Sequence, residues 1–82
     1  MFSKEKLTIN IEGQEIVLEE LSTSDFNDVM SYPESEQGYN ILARSIVSPK
    51  VTIEDVKDFP NRISTQLLSE VVKLNGLDTS GN

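Results

Sequence analysis

The sequence predicts a mainly α-helical domain, a small bundle of about four helices, with a short N-terminal β-hairpin, and three observations predict it. Apolar and polar residues alternate between Leu7 and Leu18, one helix-start pattern occurs twice with the same spacing, and an apolar stripe runs from Ile63 to Leu74. Residues 1–20 are then the extended segment and hairpin, 21–77 the helical part and 78–82 a fraying tail, all within one structural domain.

Leu7, Ile9 and Ile11 alternate with Thr8, Asn10 and Glu12, and beyond Gly13-Gln14 the residues Ile16 and Leu18 resume the period of two. That pattern is a hairpin turning at residues 12–14. Two strands alone are marginal in water, so the Leu/Ile face is expected to rest on the helices.

Leu21, Ser22, Asp25 and Phe26 supply an N-cap hydroxyl, an acid three residues on and an apolar staple pair; Val51, Thr52, Asp55 and Val56 repeat the arrangement. The flanking residues do not match, so shared capping physics explains the echo better than an internal repeat. The first helix is expected over residues 23–31 with Phe26, Val29 and Met30 inward, stopped by Pro33. Residues 33–38 are expected as an acidic loop. Between Gly38 and Ser48 the residues Tyr39, Ile41, Leu42, Ala43, Ile46 and Val47 cover most of a helical circumference, which places that helix at the centre of the bundle. Pro49 separates it from a short helix at 53–58, and Pro60 fits the first turn of the last one. There Ile63, Leu67, Val71 and Leu74 form one stripe, widened by Leu68 and Val72. Gly76 suits a left-handed C-cap and Leu77 its hydrophobic contact.

A chain of 82 residues buries only about 60–65% of its unfolded surface, so its core is modest. The absence of Cys and His removes disulfides, thiolate metal sites, cysteine nucleophiles and the usual general base near neutral pH. Met1-Phe2-Ser3-Lys4-Glu5-Lys6 is followed by no long apolar run, so neither a signal peptide nor a membrane span is expected. The net charge of −7 is uneven: residues 1–36 hold nine acids and two bases, residues 37–82 five of each. Such a surface repels nucleic acid and anionic membranes, so neither is an expected ligand. The acids either keep a small protein soluble or form a docking surface for a basic partner.

Chemical constellations are weak. Asp25 with Asp28, and Asp55 with Asp58, are three apart on one helical face, but both pairs fall near helix N-termini, where the helix dipole favours acids. Gly76 and Gly81 form no phosphate-binding motif, and Ser64, Thr65 and Ser69 have no base to activate them. Arg44, on an otherwise apolar helix, is expected to pair with an acid rather than to bind an external anion. No catalytic, cofactor or metal residue is assigned, and the chain is read as a non-enzyme. What is left is apolar width. The candidate protein-binding residues are Tyr39, Ile46, Val47, Leu68 and Val72, expected to flank a groove for an amphipathic partner helix.

Five segments carry a family resemblance: Glu20-Leu21-Ser22-Thr23, Tyr39-Asn40-Ile41-Leu42-Ala43-Arg44-Ser45-Ile46-Val47, the proline step into Val51-Thr52-Ile53-Glu54-Asp55-Val56, Phe59-Pro60, and Leu74-Asn75-Gly76-Leu77. Their order, across residues 16–77, resembles that of the tail assembly chaperones of long-tailed bacteriophages. The resemblance implies a helical chaperone that binds the long, largely helical tape-measure protein, keeps it soluble in the host bacterial cytoplasm, helps recruit tail-tube subunits and is left out of the mature virion. It carries over no catalytic residue and no cofactor. The alternative reading is an acidic decoy that mimics nucleic acid and occupies the basic groove of a DNA-binding enzyme, on the strength of the acidic region at 12–36.

Overall fold

The computed structural model describes residues 1–77, and the tail expected at 78–82 lies outside them. The chain forms a small mixed α/β domain, a hairpin with a third strand and four helices. Strands β1 (Lys6–Ile11) and β2 (Gln14–Glu19) pair antiparallel, with Leu7 opposite Leu18, Ile9 opposite Ile16 and Ile11 opposite Gln14. The turn is Glu12-Gly13, with φ of 52° and 84°. Positive φ at both central residues is the condition for the tight turn whose twist matches its strands. The Asn10 side chain secures it by accepting from the Gly13 N–H at 3.0 Å.

Helices α1 (Thr23–Met30), α3 (Ile53–Lys57) and α4 (Asn61–Leu74) stand where the capping residues place them. Ser22 Oγ accepts from the Asp25 N–H at 3.0 Å, and Thr52 with Asp55 closes a full capping box. Pro60 sits one position before the first helical residue of α4, at the N-cap, rather than inside the first turn. Of the residues expected inward on α1, Val29 is fully buried and Phe26 half-buried, whereas Met30 is exposed. Two turns packed mainly on one neighbouring helix cover only a narrow stripe.

The central segment departs from expectation twice. Helix α2 runs Glu34–Ser45, so the residues read as a loop are its first turn. Glu34 and Glu36 favour a helix N-terminus electrostatically, and Pro33, held extended, opens it. The helix then stops at Ser45, and Ile46–Ser48 is a third strand, β3, paired antiparallel with β2 through Leu18–Ile46 and Val17–Ser48. Two β-branched residues ahead of Ser48, whose own backbone is pushed extended by Pro49, favour strand over helix. The apolar run that looked like a helix hydrophobic all round is a helix followed by a strand.

The sheet order is β1-β2-β3, with α4 against β1 and β2 and α2 against β3 and the other three helices. Leu18, Leu42, Leu67, Val56 and Val71 are at most 2% exposed and join Ile11, Ile16 and Ile46 in one core drawn from all three strands and from α2, α3 and α4. The hairpin and the helical part therefore share a single interior.

Ser45, at the helix-to-strand junction, is fully buried and its Oγ has no hydrogen-bond partner. Replacing it with alanine removes an unsatisfied hydroxyl with little change in volume, so Ser45→Ala is expected to stabilise the fold by about 0.5–1 kcal/mol in urea titration. A loss of stability would show that the hydroxyl has a partner.

Candidate protein-docking site

The five residues singled out from the sequence do not form one surface. Ile46 is 3% exposed because β3 inserts it beside Leu18, so it belongs to the core and is withdrawn as a docking residue. Val47, next to it, points to the opposite side of the strand and borders a recess shared with Ala43, Arg44, Lys50 and Asp25. Tyr39 and Leu68 do come together, in a cleft of about 290 Å3 between α2, α3 and α4. The Lys57 ammonium sits 5.4 Å from the Tyr39 ring centre, and Gly38 lines the same cleft, where a Cβ would stand 3.7 Å from Leu68 Cδ1. Val72 is half-buried one turn along α4 from Leu68.

A second cleft, of about 330 Å3, lies where the hairpin end, the β3–α3 connection and the N-terminal half of α4 meet. Its floor is the core itself, Ile11, Ile16, Ile46 and Leu67. Half-buried Val51, Phe59 and Ile63, with Pro49 and Pro60, line the rest. Its polar rim is the ion pair of Glu12 with Arg62, in which Nε and Nη2 donate to the two carboxylate oxygens at 2.9 and 3.0 Å. Those hydrogen bonds hold the Glu12 carboxyl below the usual glutamate range and raise Arg62 above its own.

This cleft is the more apolar of the two and escaped the sequence reading. Val51 and Phe59 belong to no helical stripe, and a periodicity search assigns such residues to connections. The available signal was their bulk: large apolar residues beside two prolines in short connections need a surface to lie on.

Part of the acidic charge is paired within the chain. Arg44 reaches from α2 to α1, donating to Asp28 and, at 3.5 Å, to Asp25, and also to the Asp25 carbonyl at 3.3 Å. The hydrogen bond it donates to Asp28 is the main reason its guanidinium is held even more firmly charged. The expected internal partner of Arg44 is thus this aspartate pair, and Lys6 similarly approaches Glu19 at 3.9 Å. Among the described residues, no three acidic side chains gather in a way that would hold a metal ion.

Asn75 does more than end α4. Gly76, at φ 71°, and Leu77 send their N–H groups back to Lys73 and Val72, the bonding of a glycine-capped helix end. The Asn75 side chain meanwhile accepts from the Leu21 N–H at 2.9 Å and donates to the Val71 carbonyl at 2.8 Å, clipping the end of α4 to the entry of α1. Asn75→Ala leaves the partly buried Leu21 N–H unpaired, and a loss of about 1–2 kcal/mol is expected. Amide exchange reads it directly: Leu21 should lose protection ahead of the rest of α1.

Comparison with known protein families, with characterised proteins and with solved structures finds no match to this chain. Among the described residues, no helix is long and apolar enough to cross a membrane.

Proposed function

We propose that this protein is a non-catalytic tail assembly chaperone of a long-tailed phage, which binds apolar helical faces of the tape-measure protein and keeps it soluble until the tail tube assembles. The observation that carries the binding part is the second cleft, because its floor is the apolar core and its walls are half-buried Val51, Phe59 and Ile63. A few apolar side chains from one face of an amphipathic helix fill such a cleft, the mode by which helices dock in grooves. The choice of partner rests on the resemblance of residues 16–77, including Leu74-Asn75-Gly76-Leu77.

Charge distribution favours this reading over an acidic decoy. Of the eight acids between residues 12 and 36, four, namely Glu12, Glu19, Asp25 and Asp28, are engaged with Arg62, Lys6 or Arg44. A mimic of the nucleic-acid backbone needs those charges unpaired and facing outward.

Co-expression tests the proposal. A tape-measure protein produced with this chain should become soluble and co-purify with it, and the complex should survive a rise from low to moderate ionic strength. Tape measure that stays insoluble whether or not the chain is present would remove the proposal, and a complex that dissolves with salt would favour the decoy.

A further inference from the structure

We infer that the Glu12–Arg62 ion pair is a latch on the larger cleft, a device that rests on the reading of this cleft as the docking site and adds how an apolar helix face is let in. Closed, it holds the hairpin tip against the start of α4; open, it widens the way to the apolar floor. Glu12 is a central residue of the hairpin turn and Arg62 the second residue of α4, fifty positions away, and both line the cleft. Their two hydrogen bonds, at 2.9 and 3.0 Å, form a bidentate fork that ties two of the three walls together. Ile11, Ile16 and Leu67, from β1, β2 and α4, lie in the floor between those walls.

No other polar contact fixes the tip. Among the described residues, this pair is the only hydrogen-bonded or ionic link between residues 5–20 and any helix. The bond from Gly13 to Asn10 is internal to the turn, and Lys6 pairs with Glu19 inside the hairpin. What remains at the tip is apolar packing, through Ile11 and Ile16 in the shared core. Apolar packing is non-directional and leaves the spacing of the two walls to the ion pair.

The far end of α4 is fastened differently. Asn75 accepts from the Leu21 N–H at 2.9 Å, a neutral and partly buried clip. About 20 Å of helix separates it from Arg62. The neutral clip is indifferent to salt, whereas the Arg62 and Glu12 side chains are 67% and 57% exposed and meet dissolved ions directly. An exposed pair is weak enough to open while the rest of the fold stays closed, and binding regions are drawn from such low-stability segments. The start of α4 and the hairpin tip therefore part first, with the Asn75–Leu21 clip as the fixed end.

The chain has no cysteine, so a thiol introduced on the cleft wall by Ile63→Cys is its only one. Its rate of alkylation by iodoacetamide, a small neutral reagent, reports how far the cleft opens. Glu12→Gln and Arg62→Gln should each speed that reaction about two- to fivefold at low salt, the effect an exposed pair commands. Moderate salt should bring the protein with the intact pair toward the same rate and leave the two variants unchanged. Exchanging the charges, Glu12→Arg with Arg62→Glu, should restore the slow rate. Val29→Cys, fully buried on α1 and outside the cleft, should react equally slowly in every background. Single variants that match the parent would overturn the inference, as would shifts in opposite directions, the mark of a mere charge effect on the thiolate. So would parallel acceleration at Val29→Cys, which would make the pair a support of the whole fold. No partner enters the measurement, so failure of the latch and failure to capture a tape-measure protein are told apart.

Discussion

Leu18→Ala is expected to cost about 2–5 kcal/mol, the range for emptying a fully buried leucine site. Leu18 is completely buried on the middle strand, between Leu7 of β1 and Ile46 of β3. No other residue is paired with both outer strands on the face that meets the helices, so the cavity would sit where neither neighbour can collapse into it without breaking a ladder. A chain of this length has about 4–12 kcal/mol of total stability, so the variant should approach the edge of folding. With about 4–8 °C lost per kcal/mol in a domain of this size, its melting temperature should fall by about 8 °C or more. Val17→Ala, on the solvent side of the same strand, is the comparison and should cost under about 1 kcal/mol, since a half-buried valine has less to lose. Urea titration of both variants decides the matter: equal losses would mean that the core is not organised on β2.

Val51→Thr combined with Ile63→Gln is expected to reduce capture of a tape-measure segment about tenfold or more while the protein stays folded. The pair replaces two apolar walls of the second cleft by polar groups of similar size, and losing two apolar contacts of about 1 kcal/mol each exceeds the 1.4 kcal/mol that a tenfold change requires. Both residues are half-buried, and glutamine is a good helix former, so the expected cost to the fold is modest. The opposing experiment is Leu68→Gln with Val72→Gln, which alters the α2–α4 side instead. Titration of a fluorescent tape-measure peptide against both double variants separates the sites. If the second pair abolishes binding and the first does not, the surface around Tyr39 and Leu68 is the docking site and the larger cleft is not.

Helix punctuation was readable because it is local. Ser22 and Thr52 bond to N–H groups three residues away, and Gly76 needs only its own freedom to adopt a positive φ. The stripe on α4 was readable for the same reason, since Leu67 and Val71 face inward on a period that any amphipathic helix must follow. The departures that change the architecture lie at one place, residues 34–48. The glutamates before Gly38 suit a helix N-terminus although their polarity after Pro33 predicts a loop, and Ile46-Val47 leaves the helix to join β2 although the apolar run predicts more helix. A run of apolar residues satisfies either period, and the partner that decides between them, Leu18, lies twenty-eight positions away in sequence.

The candidate site shows the same division. Surplus apolar width on two helices pointed to a docking surface, and Tyr39 with Leu68 does line a cleft. Ile46 was never surplus, because strand pairing consumes it, and the larger cleft arises from Ile11, Val51, Phe59 and Ile63, which come from four separate elements or connections. The amino-acid sequence on its own determined the hairpin, the caps and the inward stripe of α4, each set by interactions within a few residues. Only the tertiary structure decided that the hairpin gains a third strand, that Asn75 holds the Leu21 amide and that an open apolar cleft is left over. Those features depend on which distant segments meet, and the period of a sequence carries no information about its partner.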